Sequence, residues 1–132
     1  MMKKFRGYIT SKPFLGERVP QNVQNLFIRN FCKIKNYEYL LSGTEYSMRN
    51  SFHILEELVH NLKKYDGIIA YSVFQLPQKS YYRIKLLNKI LKKKKTFLTA
   101  LENIKIEKNK DIKNVETLWK IKQTLPKCYK FK

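Results

Sequence analysis

The sequence of 132 residues has little acidic charge and few of the residues that mark special classes of protein. Only 10 Asp and Glu stand against 28 Lys and Arg, which gives a formal net charge of +18. Four Gly and four Pro are too few for a collagen-like or linker-like chain. The two cysteines, Cys32 and Cys128, have no CxxC or Cys/His spacing. We therefore expect free thiols in a reducing compartment and no metal site.

Long apolar runs and nucleotide-binding motifs are also absent. No run approaches the roughly 18 to 20 apolar residues that cross a bilayer. The opening Met1–Tyr8 has no long apolar region for secretion. These absences predict a cytoplasmic protein with no membrane span. GxGxxG and GxxxxGKS/T do not occur, which excludes a dinucleotide fingerprint and a P-loop, and we predict no cofactor.

The charge of +18 has two interpretations. A strongly basic chain is typical of proteins that bind nucleic acid or an anionic membrane. However, the basic residues are 23 Lys and only five Arg, whereas fork-like phosphate recognition favours Arg. Residues 81–132 alone hold 16 basic and four acidic residues, a net charge of +12. We favour compositional drift towards Lys on a solvated surface, with a basic face that has a partner as the alternative.

The apolar pattern predicts four strands that alternate with four helices. Hydrophobic residues make up 43% of the chain, enough for the core of one domain over residues 1–132. The predicted fold is a three-layer α/β sandwich with a four-stranded parallel sheet and a resolvase-like or flavodoxin-like topology. The strands are expected at 4–10, 37–41, 68–74 and 96–101, and the helices at 20–35, from 51, from 80 and from about 107 to Pro126, before a basic tail.

Ligands collect at the carboxyl ends of strands in such sheets, so four loops are candidates for a site. The first loop and the helix start after it carry a hydroxyl, two cations and two amides that could bind an anion. Its alternative role is an ordinary solvated connection. The candidates in this segment are Ser11, Lys12, Arg18, Gln21 and Gln24.

The other three loops offer acid/base and hydrogen-bonding groups. Glu45 and Tyr46, in the loop 42–50, could act as acid and base or bind sugar hydroxyls; turn chemistry around Gly43 is the alternative. Gln75 follows the central strand and could bind a small polar ligand or cap its loop. Glu102 ends the fourth strand, where its carboxylate could be a base or pair with a lysine.

Part of the chain, about residues 5–106, resembles the catalytic domain of serine recombinases. The similar segments are Gly7–Ser11, Gln21 with Gln24, Asp66–Leu76 and Leu101–Ile104. The resemblance implies the fold. That family attacks a DNA phosphate with a Ser and stabilises the transition state with several Arg. Here the opening strand reads Thr10-Ser11-Lys12 and the central loop Phe74–Gln78 has no Arg, so the charge clamp for phosphoryl transfer is lost.

A second resemblance covers nearly the whole chain and is to the small sporadic carbohydrate cluster proteins of bacterial surface-polysaccharide gene clusters. Its motifs are Gly7-Tyr8-Ile9 with Ser11, Pro13-Phe14, Gly16–Gln21, Val23–Leu26, Ile28-Arg29, Cys32, Thr44–Tyr46, Tyr71-Ser72 and Phe74–Pro77. The resemblance implies a pathway, surface-carbohydrate (lipopolysaccharide, capsule or O-antigen) biosynthesis, more than a reaction.

These observations lead to a hypothesis with named roles. A sugar acid or nucleotide-sugar would bind at Ser11, Lys12, Arg18, Gln21, Gln24 and Gln75, with Glu45, Tyr46 and Glu102 as catalytic groups if the protein is an enzyme. A DNA-binding module derived from a recombinase and a non-catalytic partner of a pathway enzyme are the alternatives. A homodimer is a further expectation, and nucleic acid ranks below the carbohydrate ligand as a partner.

Overall fold

The computed structural model describes residues 2–14, 18–45 and 52–129, without the side chains of residues 41 and 125–129. Over these ranges the chain forms five strands and four α-helices. In chain order they are β1 (Lys4–Thr10), α1 (Gln21–Lys35), β2 (Glu38–Glu45), α2 (His53–His60), β3 (Gly67–Ala70), α3 (Ser80–Lys92), β4 (Thr96–Thr99), β5 (Ile104–Ile106) and α4 (Asn109–Tyr129). A short 3₁₀ turn, Val73–Gln75, follows β3.

The strands form one mixed sheet in the order β2-β1-β3-β4-β5. Each pair among β2, β1, β3 and β4 is parallel, and β5 pairs antiparallel with β4. The predicted α/β class is confirmed, but the four-stranded sheet was wrong because β5 was missed. β5 has only three residues, too few for the alternation of Ile104 and Ile106 to stand out from a polar connection. Asn103, with φ of 56°, lies in the turn that reverses the chain before it.

Helices cover both faces of the sheet. On one face, α1 places Ile28 and Cys32 against Phe5, Ile69 and Leu98 of the strands. The other face is covered by α2, α3 and α4. Because strand side chains alternate between faces, neighbouring residues of β3 belong to the two separate cores. The larger core contains Tyr8, Leu55, Leu58, Ile68, Leu87, Ile90, Phe97, Val115 and Trp119.

Three boundaries differ most from those predicted, while β4 ends two residues before the predicted end and α2 begins two residues after its predicted start. β2 runs on to Glu45, so part of the predicted loop 42–50 is strand. β3 ends at Ala70 because Ser72 caps the 3₁₀ turn: its hydroxyl accepts from the Phe74 N–H, and its own N–H is bound by Gln75. α4 continues through Pro126, where a stop was predicted. A proline removes one hydrogen-bond donor from a helix, but its fixed φ is a helical one, so the helix can continue past it with one bond missing.

A buried arginine joins α3 to α4. The Arg83 side chain is 3% exposed. Its Nε and Nη2 donate to the two carboxylate oxygens of Glu116 at 2.6 and 2.7 Å. Its Nη1 donates to the Pro77 and Gln78 carbonyls at 2.9 and 3.0 Å, respectively.

 The guanidinium also lies over the Trp119 ring, 4.2 Å from its centroid. Arg83 therefore fixes both helices and the loop that ends at Gln78.

The ion pair between Arg83 and Glu116 predicts a pH dependence of stability. Burial alone would raise the pKa of the Glu116 carboxyl, but hydrogen bonds from Arg83 and Ser80 and the Arg83 charge together hold it below its usual value of 4.5. A carboxyl whose pKa is lowered by folding stabilises the fold above its unfolded pKa and loses this effect as pH falls through the folded pKa. We expect the wild type to exceed Glu116→Gln in free energy of unfolding by a constant amount from pH 7 to about 5, and by less below about 4.5. Urea unfolding of both proteins from pH 7 to 3 measures this difference, and parallel pH profiles would contradict it.

Candidate functional site

The carboxyl ends of the parallel strands lie at one edge of the sheet, as the predicted site requires. Thr10, the last residue of β1, is in register with Glu45, the last residue of β2. Ser11 continues this contact, because its N–H donates to the Glu45 carbonyl at 2.9 Å. On the other side of β1, β3 ends at Ala70 and leads into the turn with Ser72 and Gln75. We call this region the carboxyl edge.

Gln24 is the central polar side chain of the carboxyl edge. It is completely buried on the first turns of α1. Its amide nitrogen donates to the Thr10 and Val19 carbonyls at 2.7 and 2.8 Å. Its amide oxygen accepts from the Thr10 N–H at 3.1 Å and from the Gln75 side chain at 2.8 Å. Both donors and both acceptor positions of this amide are thus occupied by the protein itself.

The hydrogen bonds continue from Gln75 to the turn between β4 and β5. The Gln75 amide oxygen accepts from the Ser72 N–H at 3.0 Å. The Ser72 hydroxyl donates to one oxygen of Glu102 at 2.5 Å, and the Val73 N–H donates to the other at 2.9 Å. These bonds join β1, α1, the 3₁₀ turn and the β4–β5 connection. We refer to Thr10, Gln24, Gln75, Ser72 and Glu102 as the glutamine relay.

Glu45 holds the start of α2. Its carboxylate is buried and accepts from the backbone N–H of Ile54 at 3.1 Å and, at the 3.5 Å limit, from that of Leu55. A carboxylate at this position satisfies free N–H groups and complements the helix dipole. The Tyr8 hydroxyl also donates to it at 3.3 Å. Burial, and then the Glu45 charge and hydrogen bond, raise the pKa of Tyr8 far above its usual value, so Tyr8 stays protonated.

Lys12 and Ser11 lie beside Glu45 at the end of β1. The Lys12 ammonium is 3.7 Å from the centroid of the Phe52 ring. Burial lowers the pKa of Lys12, and the nearby Glu45 charge opposes that effect. The Ser11 hydroxyl lies 3.4 Å from the Glu45 carbonyl, a long hydrogen bond, and its side chain is half-buried.

Three aromatic rings form an apolar patch where α1 and the first loop meet the end of β3. Phe27 stacks on Tyr71 with ring centroids 5.3 Å apart and planes 21° apart. Phe14 meets the same Tyr71 ring edge-on at 6.1 Å. Tyr71 is buried, Phe14 is half-buried, and Phe27 is 42% exposed. The patch therefore presents Phe27 to solvent.

The structure brings most of the predicted site residues into two groups. Gln24, Gln75 and Glu102 meet in the glutamine relay, and Ser11, Lys12 and Glu45 lie around the ends of β1 and β2. Arg18 is exposed and Gln21 is half-buried, and neither is drawn into these groups by a described hydrogen bond. Tyr46 lies outside the described residues.

Thr10, Ser72 and Tyr8 were missed by the sequence reasoning. Ser72 carried a usable signal, because Ser72 and Gln75 have the S-x-x-Q spacing of a capping box, and the structure shows both of its hydrogen bonds. Thr10 contributes its backbone groups to Gln24, and Tyr8 is a buried aromatic in the middle of a strand. No sequence pattern distinguishes such residues from ordinary strand residues.

Within the described ranges, no group of three or more His, Cys, Asp and Glu side chains is placed to hold a metal ion. No helix in the same ranges is both long and apolar enough to cross a membrane.

Comparisons with known proteins find a similarity of structure only. No protein-family model matches the chain, and no curated protein matches it in sequence. The crystal structure of the N-terminal catalytic domain of TP901-1 integrase is similar with a TM-score of 0.61 and 12% sequence identity, over 91% of this chain and 98% of that chain. The comparisons give no support to the sporadic carbohydrate cluster family. The chain therefore has the recombinase-like catalytic-domain fold that one of its two sequence resemblances implied.

Proposed function

We propose that this chain is a non-catalytic module that binds nucleic acid through its phosphates. The observation that carries the proposal is its surplus of exposed positive charge: the formal net charge is +18, and two ion pairs, Arg83–Glu116 and Lys105–Glu107, form between described residues. Such a surplus attracts a polyanion and releases its counterions on binding. The similarity to an integrase catalytic domain, a protein class that acts on DNA, adds to this reading.

The non-catalytic part of the proposal is supported by the hydrogen bonds that the polar side chains of the carboxyl edge make within the protein. Gln24, Gln75 and Glu102 bind one another and the backbone, and Glu45 caps α2. A side chain that must hold a fold is poorly placed to exchange protons with a substrate. Phosphoryl transfer also needs cations around the developing charge, and the Phe74–Gln78 segment supplies none.

A binding titration with a labelled duplex of random sequence tests the proposal. We expect a Kd of about 10⁻⁴ to 10⁻⁶ M near physiological salt, which is typical of sequence-independent binding, with log K falling linearly against log salt concentration. A second duplex of unrelated sequence should bind equally well. Incubation with supercoiled plasmid should leave the DNA uncut. Absence of binding at 50 mM salt would contradict the proposal, and cleavage would contradict its non-catalytic part.

A sugar acid or nucleotide-sugar ligand at the carboxyl edge is the second candidate. The Lys12 ammonium, which lies 3.7 Å from the centroid of the Phe52 ring, is the observation that favours it, because such ligands combine an anionic group with a ring that packs on aromatic side chains. In this reading Arg18 and Gln21 complete the anion site, and Glu45, Tyr46 and Glu102 stay as proposed catalytic groups. A pathway enzyme or a second copy of the chain is proposed as a further partner.

A thermal-shift screen tests the second candidate. A ligand that binds only the folded state raises the melting temperature by mass action. Nucleotide-sugars and sugar acids at millimolar concentration should raise the melting temperature of the wild type and have less effect on Arg18→Ala. Arg18 is exposed, so this variant is expected to fold normally. No shift with any of these ligands would set this candidate aside.

A further inference from the structure

The parallel topology gathers lysines from separate segments at the edge of the sheet opposite to the carboxyl edge. The first residues of the parallel strands lie there in register, Lys4 with Glu38 and Gly67 with Thr96. α1, α2 and α3 end there because each helix runs back against its strands. The lysines of this region, which we call the lysine edge, are Lys3, Lys4, Lys33, Lys35, Lys63, Lys64, Lys92, Lys93, Lys94 and Lys95.

Hydrogen bonds show that the segments of the lysine edge are neighbours. The N–H of Glu38 donates to the Lys3 carbonyl at 2.8 Å, and that of Asp66 donates to the Lys4 carbonyl at 2.7 Å. The Thr96 N–H donates to the Asp66 carbonyl at 3.0 Å. The backbone at 3–4, 38, 66 and 96 therefore lies side by side across the strands, and Lys93–Lys95 lead directly into this position.

The lysine edge has little opposing charge. Nine of its ten lysines are exposed and Lys95 is half-buried. The carboxylates in the same segments are those of Glu38 and Asp66, and one Asp66 oxygen is occupied by the Lys4 N–H at 2.7 Å. The adjoining segment 107–111 contributes two lysines and two acids, which leaves the balance unchanged. At the carboxyl edge, in contrast, the Lys12 ammonium lies near the charge of Glu45.

Helix electrostatics accounts for only some of these lysines. Lys33, Lys35 and Lys92 lie in the last turns of their helices, where a cation complements the helix dipole. The Lys93 ammonium donates to the Val59 and His60 carbonyls at the end of α2. The other six lie outside helices, and no such role explains them. Exposed like charges on one surface repel one another and attract a polyanion, which would neutralise them on binding.

We propose that the lysine edge is the surface on which duplex nucleic acid docks, an inference that rests on the function proposed above. The four parallel strands span about 15 Å across this edge, from their spacing of about 4.8 Å. A duplex carries one negative charge per about 1.7 Å of its axis, so it presents about nine phosphates over the same length. Lysines act as point charges towards phosphate and carry no base-reading geometry, so binding at this edge is independent of sequence.

A duplex fits this surface better than a single strand. Proteins that bind single strands supply aromatic rings on which bases stack. The aromatic rings near the lysine edge are half-buried and already engaged: Tyr37 packs on Phe5 with ring centroids 4.8 Å apart, Tyr65 lies under the Arg6 guanidinium, and Phe31 lies under the Lys35 ammonium. The edge thus offers charge to a backbone and no exposed ring to a base.

Two variants with equal net charge test the assignment. One replaces Lys3, Lys4, Lys63 and Lys64 of the lysine edge with Gln, and the matched control replaces Lys79, Lys85, Lys113 and Lys120, which are exposed at the start of α3, on α3 and on α4. Each lost phosphate contact reduces the salt slope by about one. We expect the lysine-edge variant to bind duplex DNA at least about 30-fold more weakly at 100 mM salt with a slope smaller by about three to four, and the control to change less than about 3-fold.

The outcomes separate this inference from the function on which it rests. If the wild type binds no duplex, both fail. If the wild type binds and the two variants weaken equally, or the control weakens more, only the lysine-edge assignment fails. Tighter binding of the wild type to phosphatidylserine vesicles than to duplex DNA would also overturn it in favour of a membrane surface. Equal melting temperatures of the two variants serve as the folding control.

Discussion

Replacement of Arg83 by alanine is expected to lower the free energy of unfolding by about 3–5 kcal/mol. The substitution removes the fork to Glu116 and the bonds to the Pro77 and Gln78 carbonyls, and it opens a space beside Trp119. Removing the buried partner of an ion pair costs more than the pair contributes, because the Pro77 and Gln78 carbonyls lose their donor and Glu116 keeps only the hydrogen bond from Ser80. Two helices and a loop depend on this one side chain.

Urea unfolding of the wild type and two further variants measures the effect. Arg83→Lys keeps the charge but loses the fork geometry, so we expect an intermediate loss. Glu116→Gln should cost less than Arg83→Ala, since Glu116 is 22% exposed and its neutral amide can still accept from Arg83. A loss below about 1 kcal/mol for Arg83→Ala, the range of an exposed ion pair, would show that the cluster does not hold the helices together.

Replacement of Gln24 by leucine is expected to destabilise the protein by about 3 kcal/mol or more. The amide holds the Thr10 N–H and carbonyl, the Val19 carbonyl and the Gln75 side chain. Leucine has a similar size but no hydrogen-bonding atoms, and each buried polar group left unpaired costs about 1–3 kcal/mol. The matched control is Gln21→Leu, one turn earlier on α1 and half-buried, which should change stability by about 0.5 kcal/mol or less.

A double-mutant cycle between Gln24→Leu and Gln75→Leu shows whether the glutamine relay acts as a unit. Residues of one hydrogen-bond network give a coupling energy of about 0.5–3 kcal/mol, because the second substitution removes a bond already lost. Additive effects would mean that the two amides stabilise the fold independently. Duplex binding by the folded Gln24→Leu protein should match that of the wild type, since the relay lies at the edge opposite to the lysine edge.

The fold was largely predictable from local patterns, and its exceptions have local causes. Apolar spacing predicted the helix at 20–35 and the strand at 4–10, and the structure places α1 at Gln21–Lys35 and β1 at Lys4–Thr10. The missed strand, β5, is too short to show a period. β3 was predicted too long because its apolar residues continue into a turn, where the Ser72 cap rather than hydrophobicity ends the strand.

The candidate site was predictable in position but not in its bonding. Ligands gather at the carboxyl ends of parallel strands, and this rule predicted Gln24, Gln75 and Glu102 as site residues. The structure shows that they meet at that edge. These residues bind one another because of how deeply each side chain is buried and because of the path of the 3₁₀ turn. Neither of these properties can be seen in the sequence. The relay thereby changes the interpretation of the same residues from ligand contacts to structural ones.

The distribution of charge was also hidden from the sequence. Counting along the chain placed two-thirds of the surplus, +12 of +18, in residues 81–132. In three dimensions, Lys3, Lys4, Lys63 and Lys64 join the run Lys92–Lys95 from the other half, because all lie where the parallel strands begin. Compositional drift explains why lysines are numerous, but drift does not place them at one edge.

Backbone amide chemical-shift mapping during a titration with a short duplex tests the account most directly. We expect the largest shift changes on the segments of the lysine edge, which are 3–4, 33–38, 60–66 and 92–96, and we expect them to diminish as salt is raised. Residues of the glutamine relay should keep their positions in the spectrum. Shift changes centred on Thr10–Gln24 and Ser72–Glu102 would contradict it and make the carboxyl edge the binding site.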